Sequence, residues 1–227
     1  MRSFTEDDDP KDVIVPLAAG NYWVYIDSIF SMNGFYVDTS RLVITGSTKI
    51  YFENQILDVF FWNWIDPETG APQCSKWLNR NELEGLWDYG VIGKTDTLLA
   101  KVLEIMYPIT IGQSWKTVML YENFTISDTI ELTCIGTDLP FFTPKKVLNC
   151  YVYHYNVPLH LKKDFNKLSS THSLTFPFLK SDRAQMDGHE MFLYFVPNLG
   201  FAGYIETIHG FPVWKKALLD YFIHPNE

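Results

Sequence analysis

Period-two alternation is the feature that most narrows what this chain can fold into. The stretch NYWVYIDSIF (21–30) sets Trp23, Tyr25 and Asp27 against Tyr22, Val24 and Ile26, and successive side chains of a strand point to opposite faces. Asn33-Gly34, the strongest short hairpin signal, separates it from FYVDTSRLVIT (35–45). Similar runs recur between turn residues to the end of the chain, among them QILDVFFWNWID, WKTVMLYENF, VLNCYVYHYNV, HEMFLYFVP and FAGYIETIHG. A count of Phe 17, Tyr 13 and Trp 7 suits half-buried pleated surfaces. The expectation is an all-β chain, an antiparallel curled sheet that is either barrel-like or a two-sheet sandwich, with at most one or two short helices. TDTLLAKVLEIMY (95–107) is the best helix candidate, with Leu98, Leu99, Val102 and Met106 near helical spacing ahead of Pro108, and its apolar residues also suit a buried strand. FPVWKKALLDYFI reads as a strand or a short amphipathic helix.

One device occurs twice. Pro16, Gly20 and Trp23 have the spacing of Pro108, Gly112 and Trp115, 92 residues later (115 minus 23). Proline lacks a ladder donor and belongs just before a strand. The glycine allows a turn with positive φ, and each Trp then lies among the first side chains of its strand. The reading is structural rather than chemical: residues 13–227 form one β-rich domain, with 13–107 and 108–227 as candidate pseudo-repeated halves. Residues 1–12, with Asp7, Asp8, Asp9 and Pro10, read as a flexible acidic tail. The polar segment 158–188 reads as a long excursion between strands.

Composition excludes several classes. A formal net charge of −9 repels a phosphate backbone, and no run of Lys or Arg exceeds two residues, so nucleic acid is not an expected partner. The longest apolar runs, such as 57–64, are interrupted by Asp58 and Asn63 and are too short to span a bilayer, so no transmembrane segment is expected. The start of the chain has no apolar signal-peptide core. Cys74, Cys134 and Cys150 make no CxxC or zinc spacing. On neighbouring strands, Cys134 and Cys150 would form a disulfide closing a loop of roughly 15 residues, worth about 3 kcal/mol; otherwise they are buried reduced thiols.

VPLAAGNYWVY, YPITIGQSWK, FFTPKKVLNCYVY, YFVPNLGFAGYIE and LLDYFI, taken in this order, resemble a broad set of secreted bacterial proteins and lipoproteins of unassigned function. Their pattern is a P-L-x-x-G-N-x-W-x-Y start, a central P-x-x-x-G-x-x-W and an aromatic-x-P-x-x-G close, and the resemblance covers Val15 to Ile223. It implies a β-rich envelope protein, located in the periplasm or at the cell surface, of the kind often tethered by a lipidated N-terminal cysteine behind an acidic linker. No such cysteine lies near this start, so an anchor requires a longer native N-terminus. Lys145-Lys146 replace the glycine expected after Pro144. The resemblance supplies no catalytic residues.

Few constellations carry chemistry. Gly112-Gln113-Ser114-Trp115-Lys116 is not a nucleophile elbow, because the second glycine is missing and Trp115 crowds Ser114. Gly85, Gly90 and Gly93 have the wrong spacing for a dinucleotide loop. Of six histidines, only His189 lies in an acidic cluster, Asp187-Gly188-His189-Glu190, and a strand would send His189 and Glu190 to opposite faces. Cys74 is a nucleophile only with a histidine beside it. No metal or cofactor is expected. The candidate binding residues are Phe60, Trp62, Trp64, Trp77 and Trp87, an aromatic platform if exposed and core if buried. The functional expectation is therefore an exported envelope protein with a non-enzymatic ligand-binding or interaction role. It would take an apolar or glycan ligand, or an envelope protein partner. The alternative is a carboxylate-based hydrolase acting on glycans, drawing on acids such as Glu82, Glu84, Asp88 and Glu190.

Overall fold

A computed structural model describes residues 12–31, 34–66, 70–71, 76–93, 97–120, 126–156 and 188–224. Cys74, His160, His172, the tail up to residue 11 and the excursion up to residue 187 lie outside the described residues.

Twelve strands make one sheet: β1 (Tyr22–Ser31), β2 (Gly34–Phe52), β3 (Gln55–Ile65), β4 (Lys76–Glu82), β5 (Gly85–Ile92), β6 (Thr97–Met106), β7 (Ser114–Leu120), β8 (Ile126–Phe142), β9 (Val147–Asn156), β10 (His189–Val196), β11 (Gly200–Ile208) and β12 (Phe211–Phe222). The order β6-β5-β4-β3-β2-β1-β12-β11-β10-β9-β8-β7 pairs each strand with its sequence neighbours, except β6 with β7, and joins β1 to β12. The chain therefore runs up and down, and its first and last strands meet. The two remaining edges, β6 and β7, come side by side: Trp115 Nε1 donates to Leu103 O at 3.3 Å, and Tyr153 OH to Met106 O at 3.2 Å. The sheet is curled almost into a barrel, with one seam that carries no ladder. The expected all-β class is realised.

Two-residue turns with positive φ set several registers. Glu53 and Asn54 join β2 to β3, and His209 and Gly210 join β11 to β12, conformations whose twist matches that of the flanking strands. Of the two readings of 95–107, strand holds for the described residues: Thr97–Met106 is β6, not a helix. Its leucines fit a helical period by coincidence, whereas Leu98, Ala100 and Val102 turn alternately to the main core. Pairing with β5 overrides the spacing. The ambiguous terminal stretch is likewise strand, β12. Inside lies one aromatic core, in which Trp23, Trp62 and Trp77 are among the largest fully buried side chains. A smaller cluster, Val59, Leu78 and Tyr89, sits on the opposite face of β3–β5.

The two Pro/Gly/Trp devices are the same turn. Gly20 (φ 92°) donates to Ile44 O and Gly112 (φ 85°) to Cys134 O, each at 2.8 Å. The next residue, Asn21 or Gln113, donates to the carbonyl three positions back and accepts from the neighbouring strand. The correspondence continues register by register. Trp23 lies opposite Leu42, and Trp115 opposite Leu132. Bulges fall between Ile44 and Gly46 and between Cys134 and Gly136. Trp62 faces Ile44 as Tyr153 faces Cys134. Gly90 faces Leu99 as Gly203 faces Ala217, and an added Cβ would strike Leu98 O in the first case and Lys216 O in the second. Strands β1–β6 and β7–β12 thus repeat one six-strand plan. Asp12, next to the tail, is tied to both halves by Tyr107 OH and Asn198 Nδ2, each at 2.7 Å.

Candidate functional site

Strand alternation decides where the candidate aromatic residues go. Trp62, Trp64 and Trp77 are buried in the main core, and Phe60 is packed against it. Trp62 is the cross-strand neighbour of Trp77 and stacks on Trp23 at 6.3 Å; Trp64 tilts against Tyr25 at 5.6 Å. Trp87 lies on the other face of β5, under the Lys101 ammonium at 4.4 Å. Four of the five come together as core, and the fifth does not join them.

The expected disulfide is not formed: Cys134 and Cys150 are free, buried thiols. They sit on paired strands as anticipated, but Cys134 lies opposite Tyr153 and Cys150 opposite Leu139. Three residues of stagger on β9 correspond to about 10 Å, beyond disulfide reach. Each thiol hydrogen-bonds a nearby carbonyl instead, Gly136 O and Leu148 O, and burial raises both pKa values, that of Cys150 to about 12. Neither is a nucleophile.

Among the described residues, the buried titratable side chains Asp27, Asp88, Glu104, His189, Glu206 and Lys216 fall into three clusters. On β1 and β12, Asp27 and Lys216 are register partners and pair at 2.8 Å. Ser40 Oγ also donates to Asp27, at 2.7 Å, and the ammonium lies over Trp64 at 4.6 Å. On β4–β6, Asn79 faces Asp88 and donates to Glu104 Oε2 at 2.9 Å, while Gly90 N donates to Asp88 Oδ1 at 2.7 Å. Burial pushes both carboxyl pKa values well up, and the Asp88 charge adds to the shift at Glu104. On β10 and β11, His189 and Glu206 bond at 2.6 Å. As expected for a strand, Glu190 points the other way, where it meets His154 at 3.2 Å.

These groups are sealed. Asp88 is 0% exposed and Glu104 4%; an acid pair has converged, but no sugar ring reaches it, and glycosidase chemistry needs carboxylates facing a cleft. Glu82, on the outer face, is tied to Lys101 at 2.9 Å and accepts from Tyr89 OH. Among the described residues no group of three or more His, Cys, Asp or Glu converges as a metal site. The sequence did carry a signal for one of these clusters: Asp27 shares the inward parity of Trp23 and Tyr25. Lys216 likewise shares the parity of Trp214 and Leu218, whereas Glu104 had no such signal, because it is the extra residue of a β5–β6 bulge.

Large apolar groups are displayed outside. Phe30, Phe35, Tyr36 and Val37 are all exposed on the β1–β2 hairpin, and the Phe30 and Phe35 rings tilt together at 5.1 Å. Consecutive residues 35–37 point to opposite faces, so both faces of this ribbon are uncovered. Ile29 lies opposite Trp214 on β12, which places exposed Phe211 at the same end of the molecule.

No family model matches the chain, and no curated protein does. Among solved structures, it is similar to a candidate lipoprotein from Parabacteroides distasonis, at 9% identity and a TM-score of 0.43, covering 94% of this chain and 100% of that one.

Proposed function

We propose that this chain is a non-enzymatic interaction domain of the bacterial cell envelope that engages a protein partner through its surface. The observation that carries the reading is the contrast between a sealed interior and a displayed apolar end. Every acid–base cluster inside is buried, so none meets a substrate. The β1–β2 ribbon, in contrast, holds four large apolar side chains in water on both of its faces. Contiguous apolar display of this kind marks interaction sites, and a bare two-stranded ribbon is only marginally stable without something to pack on. The envelope placement is supported by the ordered motifs from Val15 to Ile223 that resemble secreted proteins and lipoproteins.

Two measurements test it. The native mass of the purified protein should equal its denatured mass; a retained small molecule would contradict the reading and revive a carrier. A photo-crosslinker at position 35, in cells expressing the protein, should give a discrete protein adduct that is absent from position 49 on β2. Adducts to neither position, or equally to both, would count against a docking end.

A further inference from the structure

We infer that the seam between β6 and β7 is a strand-addition site, taking one extended segment of a partner protein at its open end, residues 97–102 and 117–120. The inference deepens the interaction reading and rests on it.

The molecule contains its own reference for what this seam lacks. In the six-strand plan β6 corresponds to β12 and β7 to β1. At the β12–β1 junction, eight residue pairs run from Tyr22 opposite Phe222 to Ile29 opposite Trp214. At the β6–β7 junction no ladder exists among the described residues, and both strands are sheet edges. The register still matches where the two strands touch. Trp23 lies opposite Tyr221, and their counterparts are Trp115 and Leu103, which meet through the indole N–H bond to Leu103 O. A side chain holds the position that a ladder holds in the other half.

Burial differs in the same way. On the core side, Leu218 of β12 is 3% exposed, whereas its counterpart on β6, Ala100, is only partly buried. On β7, Thr117 is buried, yet its hydroxyl has no hydrogen-bond partner. The end nearest the 107–113 connection is fastened by Trp115 and by Tyr153 OH on Met106 O. Among the described residues no such bond joins the far ends, and the amides and carbonyls of a sheet edge are a template for pairing. Neither edge strand contains a proline that would block it.

Both edges belong to one molecule and lie together, so a single strand reaches both, antiparallel to one and parallel to the other. A second copy docking edge to edge would satisfy only one. The incoming segment needs apolar side chains at alternate positions, to join Leu98, Ala100 and Val102 on the core side. Its other face lies beside the exposed Lys116 and is polar, with acidic residues favoured there.

The probe is a synthetic nine-residue peptide that alternates apolar and polar side chains, with acidic residues at its polar positions. It is added to the isotope-labelled full chain, and amide exchange is read residue by residue. Exchange within 97–103 and 114–120 should slow about tenfold or more, saturably, while amides of β1 and β12 stay unchanged and a scrambled peptide has no effect. Unchanged seam amides at about 1 mM peptide, the weak limit of specific binding, would overturn the inference. So would slowing by the scrambled sequence. Either result removes the seam alone; the interaction reading falls separately, through the crosslink at position 35.

Discussion

The two halves keep one backbone plan and fill it differently. Positions that shape the chain are held in common: the positive-φ glycines 20 and 112, the bulge glycines 46 and 136, and Gly90 and Gly203, where a neighbouring carbonyl occupies the room of a Cβ. Several positions that fill the interior are not, although Trp23 and Leu42 match Trp115 and Leu132. The facing pair Asn79 and Asp88 in the first half is Phe195 and Phe201 in the second. The facing pair Asp27 and Lys216 at one junction corresponds to residues 119 and 98, a Met and a Leu, at the other. Backbone geometry tolerates few residues, whereas an interior site accepts any group whose volume and hydrogen bonds are met. The same plan therefore accommodates an ion pair, an amide–acid pair or an aromatic pair.

The ion pair gives the largest effect by which to break this comparison. Lys216→Met alone strands the Asp27 carboxylate and should cost about 3–5 kcal/mol. Adding Asp27→Leu should recover most of it, because the corresponding place in the other half is apolar. A double variant as unstable as the single, by urea unfolding, would show that the two junctions are not interchangeable.

Next come the paired glycines. Gly203→Ala forces a Cβ onto Lys216 O at φ 147° and should cost about 3 kcal/mol. Gly90→Ala meets Leu98 O in the same way, but β6 is held on one side only and can move aside. About half the cost is expected there. Equal losses would mean that β6 is as firmly clamped as β12.

Acid chemistry separates the halves in a pH titration. Burial raises the Glu104 pKa above its ordinary value near 4.3. Its contribution to stability is therefore fully present below about pH 4 and is lost as pH rises through the folded-state pKa. Glu104→Gln keeps an acceptor for Asn79 and removes that loss, so it should leave stability near pH 4 unchanged and raise it at pH 8. A parallel shift at every pH would contradict the assignment.

The smallest effects test the entry turns. Trp23→Phe loses a 2.6 Å bond to Leu199 O and Trp115→Phe a 3.3 Å bond to Leu103 O. About 1–2 kcal/mol is expected for the first and less for the second.

Much of the scaffold was legible in the sequence because its determinants are local. Period-two runs, Asn-Gly and the Pro/Gly/Trp spacing act within a few residues. The leucines of 95–107 left two readings because a short apolar run fits both periods, and pairing with β5 decided between them. The cysteines misled because neighbouring strands do not imply facing residues; a three-residue stagger comes from turn length and bulges, which spacing does not encode. The buried acids Asp88 and Glu104 were hidden for the same reason, since bulges between Leu86 and Trp87 and between Asp88 and Gly90 reset which side chains face inward. The open seam had no sequence signal, because β6 and β7 read as ordinary strands and only the sheet order leaves them unpaired.

Residue-resolved amide exchange of the free protein at the two junctions tests the central claim most directly. The account predicts that 22–29 and 214–222 exchange only through large-scale opening, while the seam-facing amides of 97–103 and 114–120 exchange orders of magnitude faster. Equal protection at both junctions would contradict it, showing a closed barrel with two laddered junctions and no seam.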